Sequence, residues 1–120
     1  MANGITQRPY DSIFTPKRTV FDTVKGIQFV MITYGQVGEL RWTGTLTEEL
    51  PASTWLVLIS GVPTYYSSAP TQEYLAVNNG KRYTMSIDNT NNVGVVQIYP
   101  RGESLPVGTY LHGVVTYITN

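Results

Sequence analysis

Few residues of this chain could carry reaction chemistry, and their spacing does not assemble it. Histidine occurs once, at His112. One imidazole cannot build a His-based metal site, and carboxylates would have to supply the other ligands. Cysteine is absent, which removes disulfides, thiolate metal ligands and a thiol nucleophile together. There is no Gly-x-Ser-x-Gly elbow, and Gly-x-Gly-like spacings fall in turns rather than between a strand and a helix. Glycoside hydrolysis needs two carboxyl groups at a set separation, whereas Glu48 and Glu49 are neighbours in a loop and point apart. Asp88-Asn-Thr-Asn-Asn92 does not follow a calcium loop, because its sixth position is Val93 where a glycine is required and no closing glutamate follows. The expectation is therefore a protein with no catalytic residue, no metal site and no cofactor.

The residues suited to recognition are more plentiful. The chain holds nine tyrosines and two tryptophans. Trp42 alternates with Leu40 and Leu46 and reads as core; Trp55 opens an apolar run and is expected to be buried as well. Tyr65 and Tyr66 lie in the Pro- and Ser-rich stretch 61–70, where no period would bury them. Loop tyrosines offer contact area at low entropic cost, and their rings stack on sugars. Packing against another copy of the chain is the competing use. Tyr74, Asn78 and Arg82 complete the candidate ligand-binding set with Tyr65 and Tyr66.

The elements that must position these residues have a period of two. Gln28, Val30, Ile32 and Tyr34 alternate with Ile27, Phe29, Met31 and Thr33; both sets are largely apolar, which predicts a strand buried on both faces. Leu40, Trp42, Gly44 and Leu46 alternate with Glu39, Arg41, Thr43 and Thr45, the pattern of a half-buried strand. Trp55 to Ile59 reads as a core strand. Glu73 to Val77 is a short strand closed by Asn78-Asn-Gly80, whose Asn-Gly pair supplies the positive φ values of a tight hairpin. Tyr83, Met85 and Ile87 are expected to face the core, with Arg82, Thr84, Ser86 and Asp88 facing out. Val93–Tyr99 and Thr109–Thr119 follow. Seven to eight strands without a sustained helical period predict an all-β antiparallel sandwich, jelly-roll-like, or a small barrel.

The 120 residues make one domain, 26–120, preceded by an irregular segment 1–25 that Pro9 and Pro16 interrupt and that reads as an arm or attachment segment. Eight Lys and Arg balance eight Asp and Glu. Nucleic-acid binding wants a basic excess, so no nucleic-acid partner is expected. The start of the chain has neither a basic nor an apolar leader region, and the longest apolar run is far too short to span a bilayer, so no membrane insertion is expected. Sparse and balanced charge is a poor recipe for a soluble monomer and suits an oligomer.

One ordered set of segments adds a family expectation. Leu40-Arg-Trp-Thr-Gly-Thr-Leu46 is followed by Thr54-Trp-Leu-Val-Leu58, Val62-Pro63 and a Tyr-rich loop. Then come Gly94-Val-Val-Gln-Ile98, Leu105-Pro-Val-Gly-Thr-Tyr110 and Tyr117-Ile-Thr119. In this order they resemble the head domains of bacteriophage tail-fibre and receptor-binding proteins, over roughly residues 26–120. The resemblance implies a homotrimeric β-sandwich on the virion, made in the host cytoplasm, that binds a host cell-surface receptor such as a cell-wall glycan. Residues 1–25 lie outside that resemblance and, as an arm or attachment segment, are expected to contact other virion proteins. A structural capsid or tail decoration without receptor binding is the alternative, and a non-viral carbohydrate-binding module is a third.

Overall fold

Turn chemistry fixes the strand pairing. The computed structural model describes residues 15–66 and 72–120. Within them run β1 (Lys17–Val20), β2 (Ile27–Tyr34), β3 (Val37–Thr45), β4 (Leu56–Val62), β5 (Gln72–Asn78), β6 (Lys81–Thr90), β7 (Val93–Pro100) and β8 (Tyr110–Ile118). Asn79 (φ 53°) and Gly80 (φ 76°) turn β5 into β6, and Asn91 (φ 50°) and Asn92 (φ 63°) turn β6 into β7. Both are two-residue loops of the kind that matches strand twist. All pairings are antiparallel and form two four-stranded sheets, β1-β2-β3-β8 and β4-β7-β6-β5. The second is a Greek key, since β5-β6-β7 is a meander and β4 returns to lie beside β7. The expected all-β sandwich is the fold.

Its core is the pair of inner faces. Ile27, Phe29, Met31, Leu40, Trp42 and Leu111 from the first sheet meet Leu58, Tyr83, Met85, Ile87, Val96 and Ile98 from the second, all buried. Each such side chain contributes about 1.5–3 kcal/mol. Leu50 and Leu105, paired by reciprocal backbone hydrogen bonds of 2.9 Å, are buried in the same cluster. Gly113 lets β8 pass close to β3: a Cβ there would collide with Cζ2 and Cε2 of the Trp42 indole.

Four expectations are corrected. The irregular segment 1–25 begins outside the described residues, but Lys17–Val20 pairs with β2 as an edge strand, so the sandwich starts inside that segment. Four residues are too few for an alternation to be read. β2 is buried on one face only; Val30 and Ile32 on the other are half-buried because no layer formed by the described residues covers that side. Thr84 and Ser86 point outward yet are buried, because β6 is flanked by β5 and β7 and the Arg101 side chain lies over Thr84, its Nε donating to Thr84 Oγ1 at 2.8 Å. Trp55 is 44% exposed, since it stands before the first paired residue of the edge strand β4.

Candidate binding surfaces

The outer face of the β4-β7-β6-β5 sheet carries one group of exposed aromatic and apolar side chains, Trp55, Val57, Leu75 and Val77. Leu75, Thr84 and Tyr99 lie in one cross-strand row, and the Trp55 ring extends that row past β7. The next row is Glu73, Ser86, Gln97 and Val57. Trp55 and Tyr99 have ring centroids 4.7 Å apart at a tilt of 40°, a separation within the range of aromatic pairs. The Arg101 guanidinium carbon sits 5.2 Å from the Tyr99 centroid, within cation–π range, and the hydrogen bond to Thr84 fixes that guanidinium. Beside it a depression of about 300 Å³ opens between Leu75, Val77, Arg82 and Arg101. Tyr99 lies in β7, while Trp55 and Arg101 stand just outside β4 and β7 and are held by the ring contact and the Thr84 hydrogen bond.

The five sequence-predicted site residues do not converge. Arg82 is exposed at the border of this platform. Tyr74 faces inward and meets Trp42 edge-on, centroids 5.3 Å apart. Asn78 is buried in a polar chain that crosses between the sheets. Trp42 Nε1–H donates to the Tyr83 hydroxyl at 3.0 Å, that hydroxyl donates to Asn78 Oδ1 at 2.6 Å, and the same oxygen accepts the His112 backbone N–H at 3.2 Å. Asn78 Oδ1 thus serves the fold, both of its acceptor positions taken by neighbours. Burial pushes the Tyr83 phenol up to about 12, with the Trp42 hydrogen bond opposing the shift.

Tyr65 and Tyr66 lie at the opposite end of the sandwich. Arg82 and Asn89 are seven residues apart on β6, about 23 Å of strand, and it is Asn89 that clasps Tyr65, its amide accepting from the Tyr65 N–H and donating to the Tyr65 carbonyl at 3.1 Å each. Tyr66 N–H donates to the Ile118 carbonyl at 2.8 Å, and Tyr117 Oη donates to the Pro63 carbonyl at 2.7 Å. The base of this loop is therefore pinned to β8. Tyr65 is half-buried and Tyr66 half-exposed; the rest of the expected loop, 67–70, lies outside the described residues.

The platform residues Trp55, Tyr99 and Arg101 were not singled out from the sequence. One signal for them existed: Val95, Gln97, Tyr99 and Arg101 alternate against Val96, Ile98 and Pro100, which puts Tyr99 and Arg101 together on the face away from the core. Trp55 carried no such signal.

The outer face of the other sheet is an open groove of about 510 Å³ across β1, β2, β3 and β8. Its cross-strand rows are Gln28–Thr43–His112 and Val20–Val30–Arg41–Val114, with Arg18–Ile32–Glu39–Thr116 next. His112 stands here beside Tyr110, ring centroids 5.4 Å apart. Among the described residues no group of three His, Cys, Asp or Glu could hold a metal ion. No protein-family profile matches the chain, and no curated protein matches it in sequence.

Proposed function

We propose that this chain is a virion recognition head of the phage tail-tip or fibre kind, holding a host-surface saccharide against Trp55 and Tyr99. The resemblance of the ordered segments supplies the class of protein. The single observation that carries the binding chemistry is the Trp55–Tyr99 pair, Trp55 exposed and Tyr99 half-buried, with rings 4.7 Å apart. Sugar rings present apolar C–H faces that pack on aromatic surfaces, and their hydroxyls need fixed polar partners. Arg101 lies over the Tyr99 ring, Gln97 stands in the next row, and Arg82 lines the depression beside Arg101; together they supply donors and acceptors. In this reading the head acts as a homotrimer, and residues 1–25 attach it to other virion proteins.

Trp55 is exposed and Trp42 is buried at 2%, so intrinsic fluorescence reports the platform selectively. Titration with solubilised host cell-wall polysaccharide is expected to change the Trp55 emission. Trp55→Ala or Tyr99→Ala should each weaken binding by about 2 kcal/mol, the size of an interface hot-spot loss. The double change Tyr65→Ala/Tyr66→Ala should weaken it far less. Binding that disappears only in the Tyr65/Tyr66 variant would move the site to the loop, and no binding to any envelope fraction would refute receptor recognition altogether.

A second reading has its own observation. Leu75 and Val77 are 71% and 64% exposed on the same face, and contiguous apolar exposure marks protein contact. A structural capsid or tail component would bury them against another virion subunit and ignore sugars. Co-sedimentation with virion proteins that is lost in Leu75→Lys, together with no response to polysaccharide, is the result that selects it.

A further inference from the structure

We infer that the outer face of the β1-β2-β3-β8 sheet is a second ligand site, separate from the Trp55 platform, and that it takes a small polyhydroxylated ligand bearing an oxyanion. The groove's about 510 Å³ lies within the range of small-molecule sites. Its floor is apolar, made by Val30, Ile32 and Val114, and its polar groups stand around that floor. Arg18 enters from β1, Arg41 from β3 and His112 from β8, while Gln28 and Thr43 supply neutral hydrogen-bonding groups.

The charges decide the ligand class. Arg18 makes no ion pair with any described residue. Glu39 is the one carboxylate in the cross-strand rows of this face, and its Oε2 already accepts from Arg41 Nε at 2.8 Å. That contact uses the inner edge of the guanidinium and orients Arg41, whose side chain stays 59% exposed. The terminal amino groups of the fork keep donor capacity for an incoming group. Two inter-strand spacings and two residues along β3 separate Arg18 from Arg41, about 12 Å between their Cα atoms, with the apolar floor between them. The arrangement has a cation at either side, hydroxyl-binding groups along one row and a flat apolar base. It complements a saccharide or polyol carrying carboxylate or phosphate, the two oxyanions that guanidinium recognises best. The chain as a whole is neutral, so this preference belongs to the face and not to the net charge.

The test uses the full ¹⁵N-labelled chain and three probes: an oligogalacturonate carrying carboxylates, an oligomeric glycerol phosphate carrying phosphates, and a neutral gluco-oligosaccharide. At least one anionic probe is expected to move the amide signals of Val30, Arg41, Thr43 and Val114, and the neutral probe is expected to leave them in place. A response to the first alone assigns a uronic-type ligand; a response to the second alone assigns a polyol phosphate. Arg18→Gln and Arg41→Gln should each weaken binding at least about tenfold, the loss of a charge-assisted hydrogen bond. Glu39→Gln should tighten it, because the competing carboxylate charge is gone; damage to the fold cannot produce that gain. Trp55→Ala should leave this binding unchanged, which separates the site from the saccharide platform. Failure of both anionic probes, an equal response to the neutral probe, shifts centred on the Trp55 face, or weaker binding by Glu39→Gln would each overturn the inference. So would duplex DNA bound through Arg18 and Arg41 more tightly than either anionic probe.

Discussion

Tyr83 shows how a single hydroxyl can fasten two layers. It comes from one sheet, accepts from Trp42 of the other, and donates to Asn78, which also receives the backbone of β8. No buried side-chain nitrogen or oxygen among the described residues lacks a partner, so removing one member orphans another. Tyr83→Phe leaves the Trp42 N–H unpaired in the core and should cost about 1–3 kcal/mol, read as a lower urea midpoint. The same residue gives a pH signature. Its phenol is raised from 10.0 to about 12, first of all by burial. The unfolded chain therefore ionises before the folded one. The stability that this phenol contributes is complete below about pH 10 and is lost progressively as pH rises toward about 12. Burial pushes Tyr117 up further still, in the same direction. Unfolding free energies measured across that alkaline range should fall less steeply in Tyr83→Phe than in the unaltered chain. Asn78→Ala tests the same chain from its other end: it should lower stability by a similar amount while leaving saccharide affinity per folded molecule intact, the opposite of what a ligand-binding Asn78 would do.

At the scale of elements, local chemistry that repeats could be read from the sequence and tertiary cover could not. The alternation in β3 places Leu40, Trp42 and Leu46 in the core, because one buried face imposes a period of two on the residues that meet it. Asn79-Gly80 marks its hairpin for an equally local reason. β1 was illegible, since its four residues are all exposed and gain their strand geometry from β2 alone. Trp55 to Ile59 looked like a buried strand because hydrophobicity does not say which side a second layer covers; β4 is an edge strand, and its register shifts between Val57 and Ile59 and again between Ser60 and Val62. Alternation holds from Leu56 to Leu58, which leaves Val57 exposed beside Gln97 and Leu58 buried, and the bulges break it beyond that point. The candidate site suffered most. Tyr74 and Asn78 sit on the inward parity of β5, and nothing within β5 reveals that β8 closes over its edge. Gly113 is the element-scale counterpart of this lesson, a position whose meaning lies in its neighbour across the ladder. Gly113→Ala must displace either the Trp42 ring or β8 itself. A rigid, fully packed indole makes that cost about 3 kcal/mol or more. Thermal unfolding is expected to show it, while the exposed Gly61→Ala, with open space around its Cβ position, should lose only what its positive φ of 97° imposes.

The whole molecule has an imbalance that neither sheet reveals alone. A two-layer sandwich buries its two inner faces against each other, yet here both outer faces keep apolar residues: Val20, Val114 and Ile118 on one, Val57, Leu75 and Val77 on the other. The formal net charge is zero, so no long-range repulsion keeps copies apart. The ion pairs Lys25–Glu48, Arg41–Glu39 and Lys81–Glu103 all have solvent-exposed members, and such pairs stabilise a fold by about 0–1 kcal/mol each. Surface electrostatics among the described residues therefore contributes little to stability, and apolar contact, with another copy or with another virion subunit, would remove these side chains from water. Sedimentation velocity over rising protein concentration should show association, with a trimer as the species the proposed head requires. The two faces give a clean discrimination. Leu75→Lys/Val77→Lys places two cations on the β5 edge of one face; Val114→Lys places one on the other. If the β5 edge is the interface, the first variant sediments as a monomer while the second still associates, and the Trp55–Tyr99 pair, toward the β4 edge of the same sheet, stays open to ligand. Saccharide affinity should then persist when association is lost. If Val114→Lys alone dissolves the oligomer, the groove is the interface instead, and the anionic probes should compete with association rather than bind beside it. A chain that stays monomeric at every concentration in the unaltered form would remove the trimeric head from consideration.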